Sequence, residues 1–119
     1  MRLQIDYFDH NEHFARYLPR TGTAVRELRD ARGTGPWLLL DLDEPFEYQL
    51  KVAEPCQFRL ARVNAFLIRC RWHGQEVGDP EGVSVFLLLV EEGQHPKGDV
   101  IDPKAFVHIA WGMCRPEKT

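Results

Sequence analysis

The sequence predicts an α+β domain: an N-terminal strand and one or two short helices, followed by a curved antiparallel sheet of about five or six strands. Two observations predict it. Apolar side chains between residues 9 and 32 recur at helical spacing, whereas after residue 36 they alternate with polar ones or form continuous runs. The 119-residue length predicts one domain over residues 1–119. An open curved sheet and a closed, barrel-like one are both compatible with this order of elements.

The N-terminal segment carries the first strand and the first helix. Residues 3–8 (LQIDYF) alternate between apolar and polar types, which predicts a strand. Asp9 is a candidate N-cap, and Glu12, three residues later, completes a capping box. This helix is predicted to end at Leu18, because the residue before Pro19 avoids the helical region of backbone conformation.

A second short helix is predicted between residues 21 and 32. Ala24, Leu28 and Ala31 would share one face of it, and Gly33 is suited to end it. The apolar stripe of this helix is narrow, so we expect the helix to lie on the surface of the domain.

The predicted sheet begins with a hairpin. Residues 37–43 and 46–52 have the composition of strands, and a tight turn at residues 44–45 would join them. Residues 57–72 form a stretch that is too long for one average strand. The sequence therefore predicts a division or a β-bulge near Asn64.

Two segments complete the predicted sheet. Residues 83–92 (VSVFLLLVEE) form an apolar run typical of a central strand that is buried on both faces. Segment 104–111 is ambiguous, because Asp102 and Pro103 favour the start of a helix whereas the alternation at residues 107–111 favours a strand. We favour the strand.

Composition narrows the function classes. The formal net charge is −3, without the excess of Lys and Arg that nucleic-acid binders usually carry. No apolar run approaches the roughly 20 residues that span a bilayer, so no membrane contact is expected. The three cysteines form no C-x-x-C pair, which favours reduced thiols and a cytoplasmic location. No phosphate-binding glycine loop is present, and no cofactor is expected.

Two histidines are the candidate metal ligands. His10 and His13 lie three residues apart at the start of the first predicted helix, where their imidazoles could face the same way. The alternative is a polar helix N-terminus in which both rings point into water.

A second candidate site would bind a small anion. Arg69 and Arg71 lie two residues apart and therefore project from the same face of a strand. Their guanidinium groups could clamp a carboxylate or a phosphate. Tyr48, Trp72 and His108 are candidate lining residues of the same pocket. The alternative is a solvated sheet face on which the arginines pair with acids across the strands.

The interpretation favoured by the sequence is a non-catalytic interaction or assembly module that self-associates as a homo-oligomer or binds a protein partner. Its basis is that residues 38–42 and 85–92 are more apolar than a sheet with one wet face requires, so an additional surface must cover them. The alternative is a domain that binds a small anionic ligand between the curved sheet and the helices. An enzyme built on that pocket would use His108 or His73 as its general base.

Overall fold

The structure, a computed structural model, describes residues 1–8, 12–33, 35–53 and 57–117. Almost all of this part of the chain is β structure, so the α+β prediction is wrong. In chain order the elements are β1 (Arg2–Phe8), α1 (Glu12–Ala15), β2 (Arg20–Asp30), β3 (Pro36–Ala53), β4 (Gln57–Cys70), β5 (Val83–Glu91), β6 (Val100–Ile101), a 3₁₀ turn (Pro103–Ala105) and β7 (Val107–Pro116).

Six of the strands close into a barrel. Their order around the ring is β1-β7-β5-β4-β3-β2, and β2 pairs with β1 to close it. Every pairing within the ring is antiparallel. On the side away from β3, strand β2 has two different neighbours. Residues 20–23 pair with β1, and residues 29–30 pair in parallel with β6. Closure pairs β1 with β2, the two strands that would otherwise be the outer strands of an open sheet.

The segment predicted as a second helix is strand β2. Its register with β3 shifts between Ala24 and Arg26, which marks a bulge at Val25. After the bulge the side chains point to the opposite faces of the sheet. Ala24 packs against the barrel interior, whereas Leu28 belongs to a cluster outside the barrel. The four-residue spacing of Ala24 and Leu28 fits one helical turn, but in the strand the bulge places the two side chains on opposite faces. Periodicity alone therefore misassigned this segment.

Strand β3 runs straight through the predicted hairpin turn. Its ladder with β4 is interrupted between Asp41 and Phe46, and Pro45, which has no N–H to donate to a ladder, lies in that interruption. On β4 the register with β5 shifts around Asn64. The bulge predicted near Asn64 is thus confirmed, while residues 57–70 remain one strand.

The last two predicted strands are present. Strand β5 coincides with the apolar run and lies between β4 and β7. The favoured strand after residue 107 is confirmed as β7. Asp102 and Pro103, which favoured the start of a helix, begin the short 3₁₀ turn before this strand. The carboxylate of Asp102 accepts a hydrogen bond of 3.0 Å from the backbone N–H of Lys104 in that turn.

The barrel interior holds the main hydrophobic core, and α1 closes one end of it. Phe14 of α1 is fully buried, and its ring centre lies 5.8 Å from that of Phe46 and 5.4 Å from that of Tyr48. The loop of residues 71–82 follows β4 at the opposite end. The interior is lined by side chains from all six barrel strands, among them Leu3, Ile5, Leu40, Val63, Phe66, Ile68, Val85, Leu87 and Cys114.

A second hydrophobic cluster covers the outer face of β2 to β5. We call it the outer cluster; it consists of Leu28, Trp37, Leu39, Ala65, Leu67, Leu88, Val90 and Ile101, with Phe86 and Phe106 packed against it. Residues 94–106, which we call the strap, cross this face. The N–H of Arg29 donates to the carbonyl of Asp99 over 2.7 Å, and the N–H of Ala31 donates to that of Ile101 over 2.8 Å. In the described residues, no helix is long and apolar enough to cross a membrane.

Candidate functional site

An open cavity of about 630 Å³ lies at the end of the barrel where β3 begins and β4 ends. We call it the β4-end cavity. Its walls come from residues 35–38 of β3 and the turn before it, from residues 68–70 of β4 and from residues 71–77 of the loop that follows β4. Among the side chains that line it are Glu27, Trp37, Arg69, Arg71, Trp72, His73, Glu76 and Phe86. Cavities of about 300 to 1,000 Å³ are typical of small-molecule sites.

The bulge at Asn64 decides which side chains of β4 reach this cavity from outside the barrel. Beyond it, Phe66 and Ile68 face the interior and Leu67 faces the outer cluster. The side-chain direction alternates along a strand, so Arg69 and Arg71 continue the outer row.

Arg69 is held by its neighbours. Its guanidinium carbon lies 4.7 Å from the ring centre of Trp37 and 5.1 Å from that of Phe86. One guanidinium nitrogen also lies 3.5 Å from Oδ2 of Asp30, whose side chain is 2% exposed. The positive charge of Arg69 is therefore balanced by a buried carboxylate.

Arg71 has a different environment. Its guanidinium carbon lies 3.7 Å from the ring centre of Trp111 and 4.7 Å from that of Trp72, distances that fit cation–π contacts. Within the described ranges, no carboxylate forms an ion pair with Arg71. Indole faces hold a guanidinium without occupying its five N–H donors, so these donors remain available to a ligand.

The remaining charges of the cavity are mixed. Glu27 and Glu76 line it together with Arg69 and Arg71, so two carboxylates accompany two guanidinium groups. His73 also lines it. This cavity is therefore not a strongly cationic site of the kind that collects several phosphates.

Three of the five predicted ligand-binding residues lie together at this cavity: Arg69, Arg71 and Trp72. Tyr48 does not, because it points into the barrel interior beside α1. His108 is exposed on β7, with its ring centre 6.2 Å from that of Phe86, and does not line the cavity.

The predicted metal site lies only in part within the described residues. His10 lies outside the described residues. His13 is exposed on α1, with its ring centre 6.3 Å from that of Tyr17 and 6.1 Å from that of Tyr48. Across residues 1–8, 12–33, 35–53 and 57–117, no three His, Cys, Asp or Glu side chains form a group able to hold a metal ion. Metal binding at His10 and His13 stays a prediction.

The described cysteines are poor candidates for a nucleophile. Both Cys70 and Cys114 face the barrel interior. Burial raises the pKa of Cys70, and burial raises that of Cys114 to about 12. Both side chains are therefore protonated thiols near neutral pH, whereas a thiolate is the reactive form. A histidine–carboxylate pair exists elsewhere, on the outside of the barrel, with Nε2 of His95 3.2 Å from Oδ1 of Asp41.

Sequence reasoning missed the aromatic partners of the two arginines. Trp37, Phe86 and Trp111 come from three strands that the sequence separates widely, and no local motif connects them to Arg69 or Arg71. Alternation along a single strand can indicate which face a residue occupies, but it does not indicate which strands lie beside the end of β4. The partners become visible only in the folded barrel.

Comparisons with protein-family models, with curated proteins and with solved structures find no match to this chain.

Proposed function

We propose that the β4-end cavity binds a small, singly charged organic anion, a carboxylate that carries a flat apolar group. The observation that carries this proposal is the position of Arg71. A guanidinium group lies between two indole rings at a cavity of ligand size, and no carboxylate within the described ranges neutralises it.

The contacts of the two arginines suggest separate roles. A planar guanidinium group can donate two parallel N–H bonds to one carboxylate. In the described part of the chain no carboxylate forms an ion pair with Arg71, and its guanidinium carbon lies 3.7 Å from the ring centre of Trp111. Arg69 is already engaged with Asp30, so we assign it the role of shaping the wall.

Trp72 would bind the apolar part of the ligand. Its side chain is 55% exposed although it lines the cavity and contacts Arg71. Contact between a flat apolar group and the exposed face of a large aromatic side chain is favourable, because it buries apolar surface on both. A ligand whose carboxylate meets Arg71 could place a ring against Trp72.

The charge balance of the cavity favours one carboxylate over a polyphosphate. Glu27 and Glu76 would repel a ligand that brings several negative charges. A single carboxylate requires only one cationic partner, and Arg71 forms no ion pair with the described residues.

The test is ligand-dependent thermal unfolding followed by calorimetric titration. Benzoate and indole-3-acetate are the probes, benzamide is the neutral analogue and inorganic phosphate is the second anion. We expect the carboxylates to raise the melting temperature and benzamide to leave it unchanged, because ligand binding stabilises the folded state by mass action. Arg71→Gln should weaken carboxylate binding by about 10- to 100-fold, the usual range for a lost hydrogen bond to a charged group.

Arg29→Gln is the matched control, since Arg29 is exposed on β2 and does not line the cavity. It should bind the carboxylates as the unmodified chain does. The proposal fails if neither carboxylate binds at about 1 mM, or if both bind equally well to Arg71→Gln. Tighter binding of phosphate than of benzoate would reverse the choice of ligand class.

The structure removes the argument by which the sequence favoured a self-associating module. Its basis was the apolar character of residues 38–42 and 85–92. The interior core and the outer cluster cover both faces of these strands within one chain. Any proposal of self-association must therefore come from a surface that the barrel leaves uncovered.

A further inference from the structure

Among the described residues, the N-terminal part of β4 has a neighbouring strand on one side only. Residues 57–62 of β4 pair with β3, but the ladder with β5 begins only at Val63. The one additional backbone bond beside this segment runs from the N–H of Glu92 to the carbonyl of Arg62, over 2.8 Å. In the described part of the chain, residues 57–61 thus form a free strand edge.

The direction of the open backbone groups follows from that bond. The carbonyl of Arg62 points away from β3, towards the β5 side. Every second residue of an antiparallel strand directs both its N–H and its C=O to the same side. Leu60 and Phe58 therefore direct four backbone groups outwards, and among the described residues these four have no backbone partner.

The side chains of the same two residues are also uncovered. Phe58 is 60% exposed and Leu60 is 61% exposed. They lie two residues apart and so project from one face of the strand. Exposed apolar side chains beside an unpaired edge are the combination that favours pairing with another strand.

We infer that two copies of this chain associate through this edge, in an antiparallel pairing around a two-fold axis at Arg59. In this register Phe58 lies opposite Leu60 of the partner subunit, and the four open groups of each copy bond to those of the other. A register centred on Leu60 would instead place Phe58 opposite Arg62, whose carbonyl is already occupied. Because Phe58 and Leu60 of one copy match Leu60 and Phe58 of the other, the partner that fits this edge is a second copy of the chain.

The charges near the edge permit this approach. The guanidinium of Arg59 lies 2.6 Å from the carboxylate of Glu91, and that of Arg62 lies 2.8 Å from the carboxylate of Glu92. Unpaired charges usually protect a strand edge from self-pairing. Here the nearby arginines are neutralised by acids of their own chain. The segment is short, so the contact is smaller than the roughly 1,200 Å² of a standard interface and the dimer should be a weak one.

Sedimentation velocity from about 10 µM to about 1 mM tests the inference. We expect a monomer–dimer equilibrium in which the dimer fraction rises with concentration. Phe58→Ser with Leu60→Ser should abolish the dimer. Val25→Ser is the control, because Val25 is an equally apolar side chain, 50% exposed, on another strand. Circular dichroism confirms that each variant remains folded.

Hydrogen exchange provides a second readout. The N–H groups of Phe58 and Leu60 should exchange more slowly as the concentration rises, since only the dimer protects them. A chain that remains monomeric at about 1 mM overturns the inference, and so does a dimer that the double variant forms equally well. Open-ended filaments would also overturn it, because a two-fold contact closes on itself. Arg71→Gln should leave the dimer unchanged, which separates this result from the fate of the proposed ligand site.

Discussion

The indole nitrogen of Trp37 donates a hydrogen bond of 3.1 Å to Oδ2 of Asp30. This bond connects the end of β2 to the start of β3 beneath the β4-end cavity. The other carboxylate oxygen, Oδ1, accepts from the backbone N–H of Arg32 over 2.8 Å, and Arg69 lies 3.5 Å from Oδ2. The carboxylate of Asp30 therefore accepts hydrogen bonds from a buried indole N–H and from a backbone N–H of the following turn, and it lies beside the guanidinium group of Arg69.

Asp30→Ala should destabilise the fold by about 2 to 4 kcal/mol, because the substitution removes the acceptor of the buried Trp37 N–H and a carboxylate that faces Arg69. The free energy of unfolding in urea measures this. Asp99→Ala is the control, since Asp99 is exposed on the strap, and it should change stability by less than about 0.5 kcal/mol. Equal effects of the two substitutions would show that Asp30 has no structural role.

Phe14→Ala should open the α1 end of the barrel. Phe14 is fully buried and packs on Phe46 and Tyr48, so removal of its ring leaves a cavity in the interior core. We expect a loss of about 3 to 5 kcal/mol in the free energy of unfolding, the usual cost of this change in a core. Phe14→Leu should lose much less. A loss below about 1 kcal/mol for the alanine variant would mean that α1 is not part of the cooperative fold.

Gly22→Ala should disturb the contact between β2 and β3. A Cβ atom at Gly22 would collide with the backbone carbonyl of Asp41, which cannot move without breaking the ladder. We expect a destabilisation of about 1 to 3 kcal/mol, typical of overpacking. Gly98→Ala is the matched control, because nothing lies within 4 Å of a Cβ atom at that position. Thermal unfolding compares the two, and an unchanged melting temperature for Gly22→Ala would contradict the close approach.

Asp43 should contribute stability that disappears in acid. Hydrogen bonds from Arg2, and then from Thr21, lower the pKa of Asp43 from 3.8 to about 2. A carboxyl group whose pKa falls on folding stabilises the folded state above its unfolded pKa, and this contribution is lost as the pH falls through the folded pKa. The contribution is therefore fully present above pH 3.8 and is lost between 3.8 and about 2.

Urea midpoints of the unmodified chain and of Asp43→Asn measure this contribution. The two should differ at about pH 6 and converge at about pH 2. Asp99→Asn provides the baseline for an exposed carboxylate. A difference between the unmodified chain and Asp43→Asn that stays constant with pH would show that the pairing with Arg2 does not depend on the charge of Asp43.

Much of the strand content could be predicted from single segments. Residues 3–8, 83–92 and 107–111 alternate or run apolar, and all of them except Glu92 lie in strands. The bulge at Asn64 also followed from the excessive length of its segment. These predictions succeed because side-chain alternation and length are local properties of a strand.

The errors have one cause in common, which is irregularity within long strands. Val25 interrupts the alternation of β2 and produced a false helix. Pro45 lies in an interruption of the β3 ladder, where the sequence predicted a turn. Barrel strands must bend to close, and bulges allow the bend while they reverse the face of every later residue. A period measured along the chain fails wherever such a reversal occurs.

The candidate site divides in the same way. The placement of Arg69 and Arg71 on one face follows from their spacing of two residues, which the sequence alone determines. Their different environments do not follow from it: Asp30 neutralises Arg69, whereas Trp72 and Trp111 surround Arg71.

The sequence by itself determined that the chain is rich in antiparallel strands, because composition and alternation are readable along the chain. Only the tertiary structure decided that the sheet closes and that Arg71 lacks an acidic partner among the described residues. It also left one edge of β4 open. These properties depend on which strands become neighbours, and strand pairing is set by contacts between residues far apart in the sequence.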